Sequence, residues 1–228
     1  MEKSKFTRLF FVIAALFVSC LIVSNIIAVK LVSIFGMVLP AAVVIFPITY
    51  LFGDVLTEVY GYRMTRFVIW VGFAANLFVV FAIWIAQILP PAGFWKGQQA
   101  YVQILGQTPR ILGGSFLAYL TGEFLNSLVL SRLKLLTKGR FLWTRTIGST
   151  LVGQLADSAI FISIAFVGTI PSGALVQLIV TQWLFKVAYE TVATPLTYAI
   201  VGFLKRRDQI DSYDYDVKLN PLRVFDTQ

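Results

Sequence analysis

Residues 147–170 read IGSTLVGQLADSAIFISIAFVGTI, an apolar run interrupted by one Gln, one Asp and several Ser and Thr residues. A bilayer core requires roughly 20 consecutive apolar residues from each helix that crosses it. Five further runs of this kind lie at 9–29, 31–52, 67–89, 111–130 and 175–204. The sequence therefore predicts an all-α integral membrane protein, a bundle of six transmembrane helices.

The composition indicates a lipid environment. Of the 228 residues, 58% are hydrophobic and 13% are charged, whereas soluble domains have about 45–50% apolar and about 25% charged residues. The chain has no His and a single Cys, Cys20. These absences exclude His-based catalysis, a disulfide within the chain and a Cys/His metal site. We therefore expect no catalytic residues, no metal and no cofactor.

The predicted bundle occupies residues 9–204, between a short N-terminal segment (1–8) and a polar tail (205–228). Little more than Lys30 separates the first two apolar runs, and Gly and Pro residues interrupt the second, so a five-helix count stays open. The tail is rich in Asp and Tyr. We expect it to be solvated and partly disordered, without chemistry of its own.

The acids outside the two terminal segments all lie in or beside apolar runs. They are Asp54, Glu58, Glu123, Asp157 and Glu190. A charge at the bilayer centre costs about 2.5–3.5 kcal/mol on insertion scales, so such residues normally face a protein interior or a water-filled cavity. Their positions therefore suggest function.

Polar residues accompany three of these acids at helical spacing, so that each group shares one helical face. The three groups are Glu123, Asn126 and Ser127; Gln154, Asp157 and Ser158; and Gln182, Lys186 and Glu190. Three such faces turned inward predict a polar substrate or ion site. We assign to it Asp157, Gln154, Glu123, Asn126, Glu190, Lys186 and Ser158. A single face could equally serve helix-to-helix hydrogen bonding, or a buried Lys186–Glu190 pair.

Asp54 and Glu58 are four residues apart at the end of the second run. One interpretation is that they line an inner gate or couple transport to an ion. An equally good one is that they pair with Arg63 and Arg66 at the membrane interface.

Several short motifs occur along residues 10–205. They are SNIIAVK (24–30), FPITY (46–50), GD (53–54), EVYG (58–61), GEFLNS (122–127), WTRT (143–146), GST (148–150) and GQLADS (153–158). In content and order they resemble the queuosine-precursor transporter family, which is often grouped with vitamin-uptake transporters.

The resemblance implies a six-helix importer of the bacterial inner membrane, similar in fold to the substrate-binding subunits of energy-coupling-factor transporters. Its substrate would be 7-cyano-7-deazaguanine, with the 7-aminomethyl relative as a further candidate. Asp157, Glu123 or Glu190 could accept the adjacent N–H groups of a deazaguanine, with Asp157 the first choice and Glu123 the next, while Asn126 and Gln154 read another edge. The implied partners are this small molecule and membrane lipid, with a homo-oligomer left open and no nucleic acid.

Two other functions are considered. One is an intramembrane aspartyl protease that uses Asp54 and Asp157 as a dyad. The other is a binding subunit that depends on a separate ATPase, since this sequence has no Gly-rich phosphate-binding loop of the P-loop type. The amides beside the acids favour recognition over catalysis, and we favour an autonomous carrier over a dependent subunit.

The distribution of basic residues predicts that both termini are cytoplasmic. With six helices, fifteen of the nineteen Lys and Arg residues fall on the side of the termini, three fall on the opposite side, and Lys186 lies within a helix. Lys and Arg accumulate in cytoplasmic loops. A reporter that is active only in the periplasm, fused after Gln228, is therefore expected to be silent. A strong periplasmic signal would contradict the six-helix count.

Overall fold

The computed structural model describes residues 7–34, 37–106, 109–168, 171–215 and 220–221. Over these residues the chain forms seven α-helices, one β-hairpin and a short 3-10 helix. In chain order they are α1 (Arg8–Ile27), β1 (Leu31–Ile34), β2 (Met37–Pro40), the 3-10 helix (Ala41–Val44), α2 (Phe46–Tyr60), α3 (Tyr62–Ile88), α4 (Gln98–Leu105), α5 (Pro109–Leu136), α6 (Leu142–Phe166) and α7 (Ser172–Asp208). The prediction of a helical bundle is confirmed.

Four helices in the described part of the chain are long and apolar enough to cross a membrane: α1, α3, α6 and α7. The helix α5 has 28 residues but carries a polar face, and α2 has 15, fewer than the roughly 20 that a bilayer core requires. The chain is a multi-pass helical membrane protein. The count of six spans stays a prediction.

The predicted second transmembrane run, 31–52, is wrong as one continuous helix. Its first part is the hairpin, in which β1 and β2 pair antiparallel with Leu31 opposite Pro40. The helix α2 begins only at Phe46, with Pro47 in its first turn. Because proline lacks a backbone N–H, a helix accepts it in the first turn but not in its interior. Pro40 thus ends the hairpin, Pro47 lies in the first turn of α2, and the 3-10 helix separates the two elements.

Gly61 makes the corner between α2 and α3 with φ of 89°, in the left-handed region that glycine enters without a steric penalty. A tail residue covers this corner, because the Oδ2 atom of Asp214 accepts a hydrogen bond of 2.9 Å from the backbone N–H of Tyr62. A carboxylate at this position also interacts favourably with the positive N-terminal end of α3.

The expectation of a solvated tail is wrong for its first residues, which pack against the bundle. Ser212 donates its backbone N–H to the carbonyl of Val59 at 3.1 Å, and Asp211 accepts hydrogen bonds from Lys134 and Lys205 at 2.5 and 2.9 Å. Burial by itself would raise the pKa of Asp211, but the hydrogen bonds from the two lysines outweigh burial and lower that pKa. These contacts join the ends of α2, α5 and α7.

The helices α5 and α6 approach closely at Gly122 and Gly153. A Cβ atom added to Gly153 would lie 2.7 Å from the Cβ of Asn126 and 2.9 Å from the carbonyl oxygen of Gly122. Small residues permit this kind of approach between membrane helices. The seam matters to function because Glu123, Asn126, Gln154 and Asp157 all lie next to it.

Changing Gly153 to Ala is expected to destabilise the protein. The added methyl group meets backbone of α5, and overpacking of this kind costs about 1–3 kcal/mol, more than the roughly 0.5–1 kcal/mol that Ala gains over Gly in a helix. The measurement is the midpoint of thermal unfolding in one detergent. Gly202→Ala in α7 is the control, since an added Cβ there meets nothing within 4 Å, and its midpoint should not fall.

Candidate functional site

Four helices each contribute one acid to a cluster inside the bundle, which we call the carboxylate cluster. It consists of Asp54 on α2, Glu123 on α5, Asp157 on α6 and Glu190 on α7, each at most 5% exposed. Asp54 interacts electrostatically with Glu190 and Glu123, and Glu123 interacts with Asp157 and Glu190. The four acids therefore form one electrostatic unit.

Two of these acids have a hydrogen-bonding partner on another helix. The amide nitrogen of Asn126 donates to the Oδ1 atom of Asp54 at 2.6 Å. The ammonium group of Lys186 on α7 pairs with the Oδ2 atom of Asp157 on α6, and it also lies 4.7 Å from the centre of the Phe46 ring. These contacts tie α2 to α5 and α6 to α7.

Glu190 and Glu123 have no such partner among the described residues, and Glu123 is the more deeply buried of the two. It is fully buried, and neither of its carboxylate oxygens has a hydrogen-bond partner in the described part of the chain. The carboxylate lies against α2, where a Cβ added to Gly53 would be 3.1 Å from the Oε2 atom. Gly53 thus provides the space that this side chain occupies.

Further buried polar atoms around the cluster also lack hydrogen-bond partners among the described residues. They include oxygen atoms of Tyr50, Asp54, Asn126, Ser127, Thr150, Gln154, Ser158 and Glu190. A buried polar group left without a partner costs about 1–3 kcal/mol, and such groups are rare in native proteins. Their concentration on α2, α5, α6 and α7 marks a place where a ligand or water completes the hydrogen bonding.

The cluster has more acids than bases. Lys186 is the cationic residue that pairs with one of its four carboxylates. Burying an unpaired ionised carboxylate is costly. The cost of burying the remaining acids is therefore reduced either by protonation or by a ligand that brings N–H donors or positive charge.

Of the seven residues predicted for the substrate site, the structure places Glu123, Asp157, Glu190 and Lys186 within electrostatic range of one another. Asn126 joins them through Asp54, while Gln154 and Ser158 are buried on α6 beside Asp157, and one predicted pairing is corrected. Lys186 bonds to Asp157 on the neighbouring helix, not to Glu190 one turn along its own helix. The prediction of a Lys186–Glu190 pair is wrong, because the packing of α6 against α7 places a second carboxylate within reach.

Glu58 lies one helical turn after Asp54, with which it interacts electrostatically, and belongs to an ion cluster towards the C-terminal end of α2. Arg145 donates to its two carboxylate oxygens at 3.1 and 2.8 Å, and Lys205 donates at 2.7 Å. Pairing of Glu58 with Arg63 or Arg66, the second interpretation from the sequence, is wrong. Such a satisfied network is typical of a structural role.

Sequence reasoning missed Tyr50 and Arg145. The hydroxyl of Tyr50 lies at the α5–α6 seam, 2.7 Å from a Cβ added to Gly122, and its spacing of four residues from Asp54 was the available signal. Arg145 was counted as a loop charge, yet it is 1% exposed. Its partner Glu58 is distant in sequence, so no local pattern could have identified the pair.

Residues 40–200 match the family described as "Putative vitamin uptake transporter". A "Probable queuosine precursor transporter" of Bacillus subtilis (strain 168) is 32% identical to this chain over 177 residues, which are 77% of this chain and 77% of that protein. The "Queuosine precursor transporter" of Escherichia coli (strain K12) is 30% identical over 121 residues, which are 53% of this chain and 52% of that protein. No solved structure matches the chain.

The Lys186–Asp157 pair generates a stability prediction. Lys186→Met leaves the buried carboxylate of Asp157 unpaired, and breaking a buried pair in this way costs about 3–5 kcal/mol. We expect less folded protein, measured as the monodisperse fraction in size-exclusion chromatography. Adding Asp157→Asn should restore much of it.

Two comparison variants make this test specific. Lys186→Met combined with Glu190→Gln should recover less protein than the combination with Asp157→Asn, and equal recovery would contradict the pairing. Lys96→Met removes the same charge from an exposed position and should leave the yield unchanged.

Proposed function

Because the chain belongs to the family described as "Putative vitamin uptake transporter", we propose that it imports queuosine precursors across the bacterial inner membrane. The family resemblance found in the sequence is confirmed, and both curated relatives are named as queuosine precursor transporters. A transporter family is not an enzyme family, which sets aside the protease hypothesis. The substrate we propose is 7-cyano-7-deazaguanine, with 7-aminomethyl-7-deazaguanine as a second.

The observation that supports substrate recognition is the unpartnered carboxylate of Glu123 inside the carboxylate cluster. A deazaguanine presents a ring N–H beside an exocyclic amine, and a carboxylate with two unoccupied oxygens can accept from both groups together. Asp157 is less available for this role, since Lys186 already occupies one of its oxygens. We therefore assign the primary acceptor to Glu123.

The neighbouring residues supply the other contacts of the proposed site. Gln154 and Asn126 each have a buried amide oxygen without a partner, and their amide groups can also donate to the O6 or cyano edge of the base. The hydroxyl of Ser158 and the carboxylate of Glu190 complete the polar surface. The aminomethyl substrate carries a positive charge, which would compensate part of the excess acid.

We further propose that the protein works as an autonomous carrier with both termini in the cytoplasm. Asp54 is a member of the carboxylate cluster and accepts a hydrogen bond from Asn126, so a coupling role is assigned to Asp54 and not to Glu58, whose ion pairs are structural. A binding subunit that depends on a separate ATPase remains the alternative. Uptake of labelled 7-cyano-7-deazaguanine by cells that lack both the synthetic route and such an ATPase separates the two.

The role of Glu123 is tested by a binding titration on purified protein. Charge-assisted hydrogen bonds are worth about 1.5–3 kcal/mol, so Glu123→Gln is expected to weaken the affinity for 7-cyano-7-deazaguanine by roughly 10- to 150-fold. The amount of folded protein should not fall, because Glu123 makes no hydrogen bond to the described residues that the change would break.

Asp157→Asn is the matched variant in this titration. We expect it to reduce the amount of folded protein more than Glu123→Gln does, because it removes the partner of Lys186. If Glu123→Gln binds the substrate like the parent while Asp157→Asn does not, the acceptor belongs to α6 and our assignment is wrong.

A further inference from the structure

A cavity of about 180 Å³ lies between α1, α3, α4 and α5, away from the carboxylate cluster. The described residues that line it include no charged side chain. Four of them are polar, namely Asn25, Asn76, Gln87 and Ser115, and the aromatic rings of Trp84 and Phe116 form part of the wall. We call it the amide cavity.

Asn76 is the residue that marks the amide cavity as a binding site. Its side chain lines the cavity although the residue is only 3% exposed, and its amide makes no hydrogen bond to another residue in the described part of the chain. An amide placed among apolar helices without a partner is unfavourable unless something in the cavity satisfies it. It points to a ligand with both donors and acceptors.

The size and lining of the cavity restrict that ligand. Ligand pockets usually measure about 300–1,000 Å³, so a cavity of about 180 Å³ holds one small ring system and not a nucleoside. A primary amide offers two N–H donors and one acceptor oxygen, which matches the lactam edge of a planar base. The lack of charged residues favours a neutral molecule over an ion.

Tyr119 lies between the amide cavity and Glu123. On α5 it follows Ser115 by four residues and precedes Glu123 by four, so the three share one helical face. Its hydroxyl donates to the carbonyl of Ile69 at 2.9 Å and lies 2.8 Å from a Cβ added to Gly72, one turn before Asn76 on α3. The residue is 3% exposed, so its side chain is packed inside the bundle between these two positions of α5.

We propose that the amide cavity is a first binding site for a neutral, lactam-bearing heterocyclic base, separated by Tyr119 from the carboxylate cluster. This inference rests on the proposed function, because it takes the base to be the transported deazaguanine. By the predicted orientation the cavity belongs to the periplasmic half of the protein. The base would bind there before Tyr119 moves aside.

Occupancy of the cavity can be measured with a cysteine introduced at Ser115 in a Cys20→Ser background. The rate of its labelling by a small thiol reagent is followed with and without 7-cyano-7-deazaguanine, using purified full-length protein in lipid nanodiscs. We expect the base to slow labelling at least several-fold, and the corresponding nucleoside to give no protection. Adding Asn76→Leu should shift the protecting concentration of the base upwards by roughly 5- to 30-fold, as for the loss of one or two neutral hydrogen bonds.

Two controls keep the outcome specific. Gln103→Leu makes a similar amide-to-leucine change at an exposed position of α4 outside the cavity lining, and it should not alter protection. Glu123→Gln should abolish uptake yet leave protection at position 115 intact, because the two sites are separate.

The outcomes distinguish this inference from the proposed function. If the parent takes up the base but the base does not protect position 115, the proposal that the amide cavity binds the base is wrong, while the proposed function stands. The same conclusion holds whether lipid or nothing occupies the cavity. Loss of protection in Glu123→Gln also overturns it, since there would then be a single site. If the parent neither takes up nor binds the base, the proposed function is wrong.

Discussion

The arrangement inside the bundle depends on the cost of burying charge. Four carboxylates from α2, α5, α6 and α7 lie together at no more than 5% exposure, and the ammonium of Lys186 forms its salt bridge with Asp157. In a medium of low polarity each remaining acid needs a proton, a hydrogen-bond donor or a cation. Asn126 supplies a donor to Asp54, whereas Glu123 and Glu190 are left without one among the described residues. The close approach of α5 and α6 at Gly122 and Gly153 holds these groups within range of one another.

The ion cluster around Glu58, one helical turn after Asp54 on α2, shows that the protein does pair buried acids where stability is the requirement. Glu58 is as deeply buried as Glu123, yet it accepts hydrogen bonds from Arg145 and Lys205, with Lys134 at 3.6 Å. The chain has basic residues in excess, with a formal charge of +8. A shortage of cations therefore cannot explain the unpartnered state of Glu123. A position kept without a partner despite its cost is the pattern expected of a binding site, where the ligand supplies the missing donors.

The sequence predicted the residues of the cluster well and their partners poorly, for a physical reason. Helical spacing shows which side chains share a face, so Glu123 with Asn126 and Gln154 with Asp157 could be grouped before the fold was known. Packing between helices decides which helical faces contact each other. It places Lys186 in a salt bridge with Asp157, whereas local spacing had suggested Glu190. The docking of Ser212 and Asp214 on the bundle depends on contacts far apart in sequence. No local period records such contacts.

A carrier must bind its substrate specifically and still release it, and two sites of different chemistry in series suit that requirement. In the proposed scheme the amide cavity takes a neutral base through weak neutral hydrogen bonds, worth about 0.5–1.5 kcal/mol each, so the base leaves readily in either direction. The carboxylate cluster then replaces these with stronger charge-assisted bonds, which few molecules other than a guanine-like base can satisfy on both carboxylate oxygens. Tyr119 keeps the two environments apart while its hydroxyl stays bonded to the carbonyl of Ile69. When the base passes, the hydrogen bond between Tyr119 and Ile69 is lost and hydrogen bonds between the base and the carboxylate cluster are gained. The energy barrier to passage is therefore lower for a base that can form those bonds than for water.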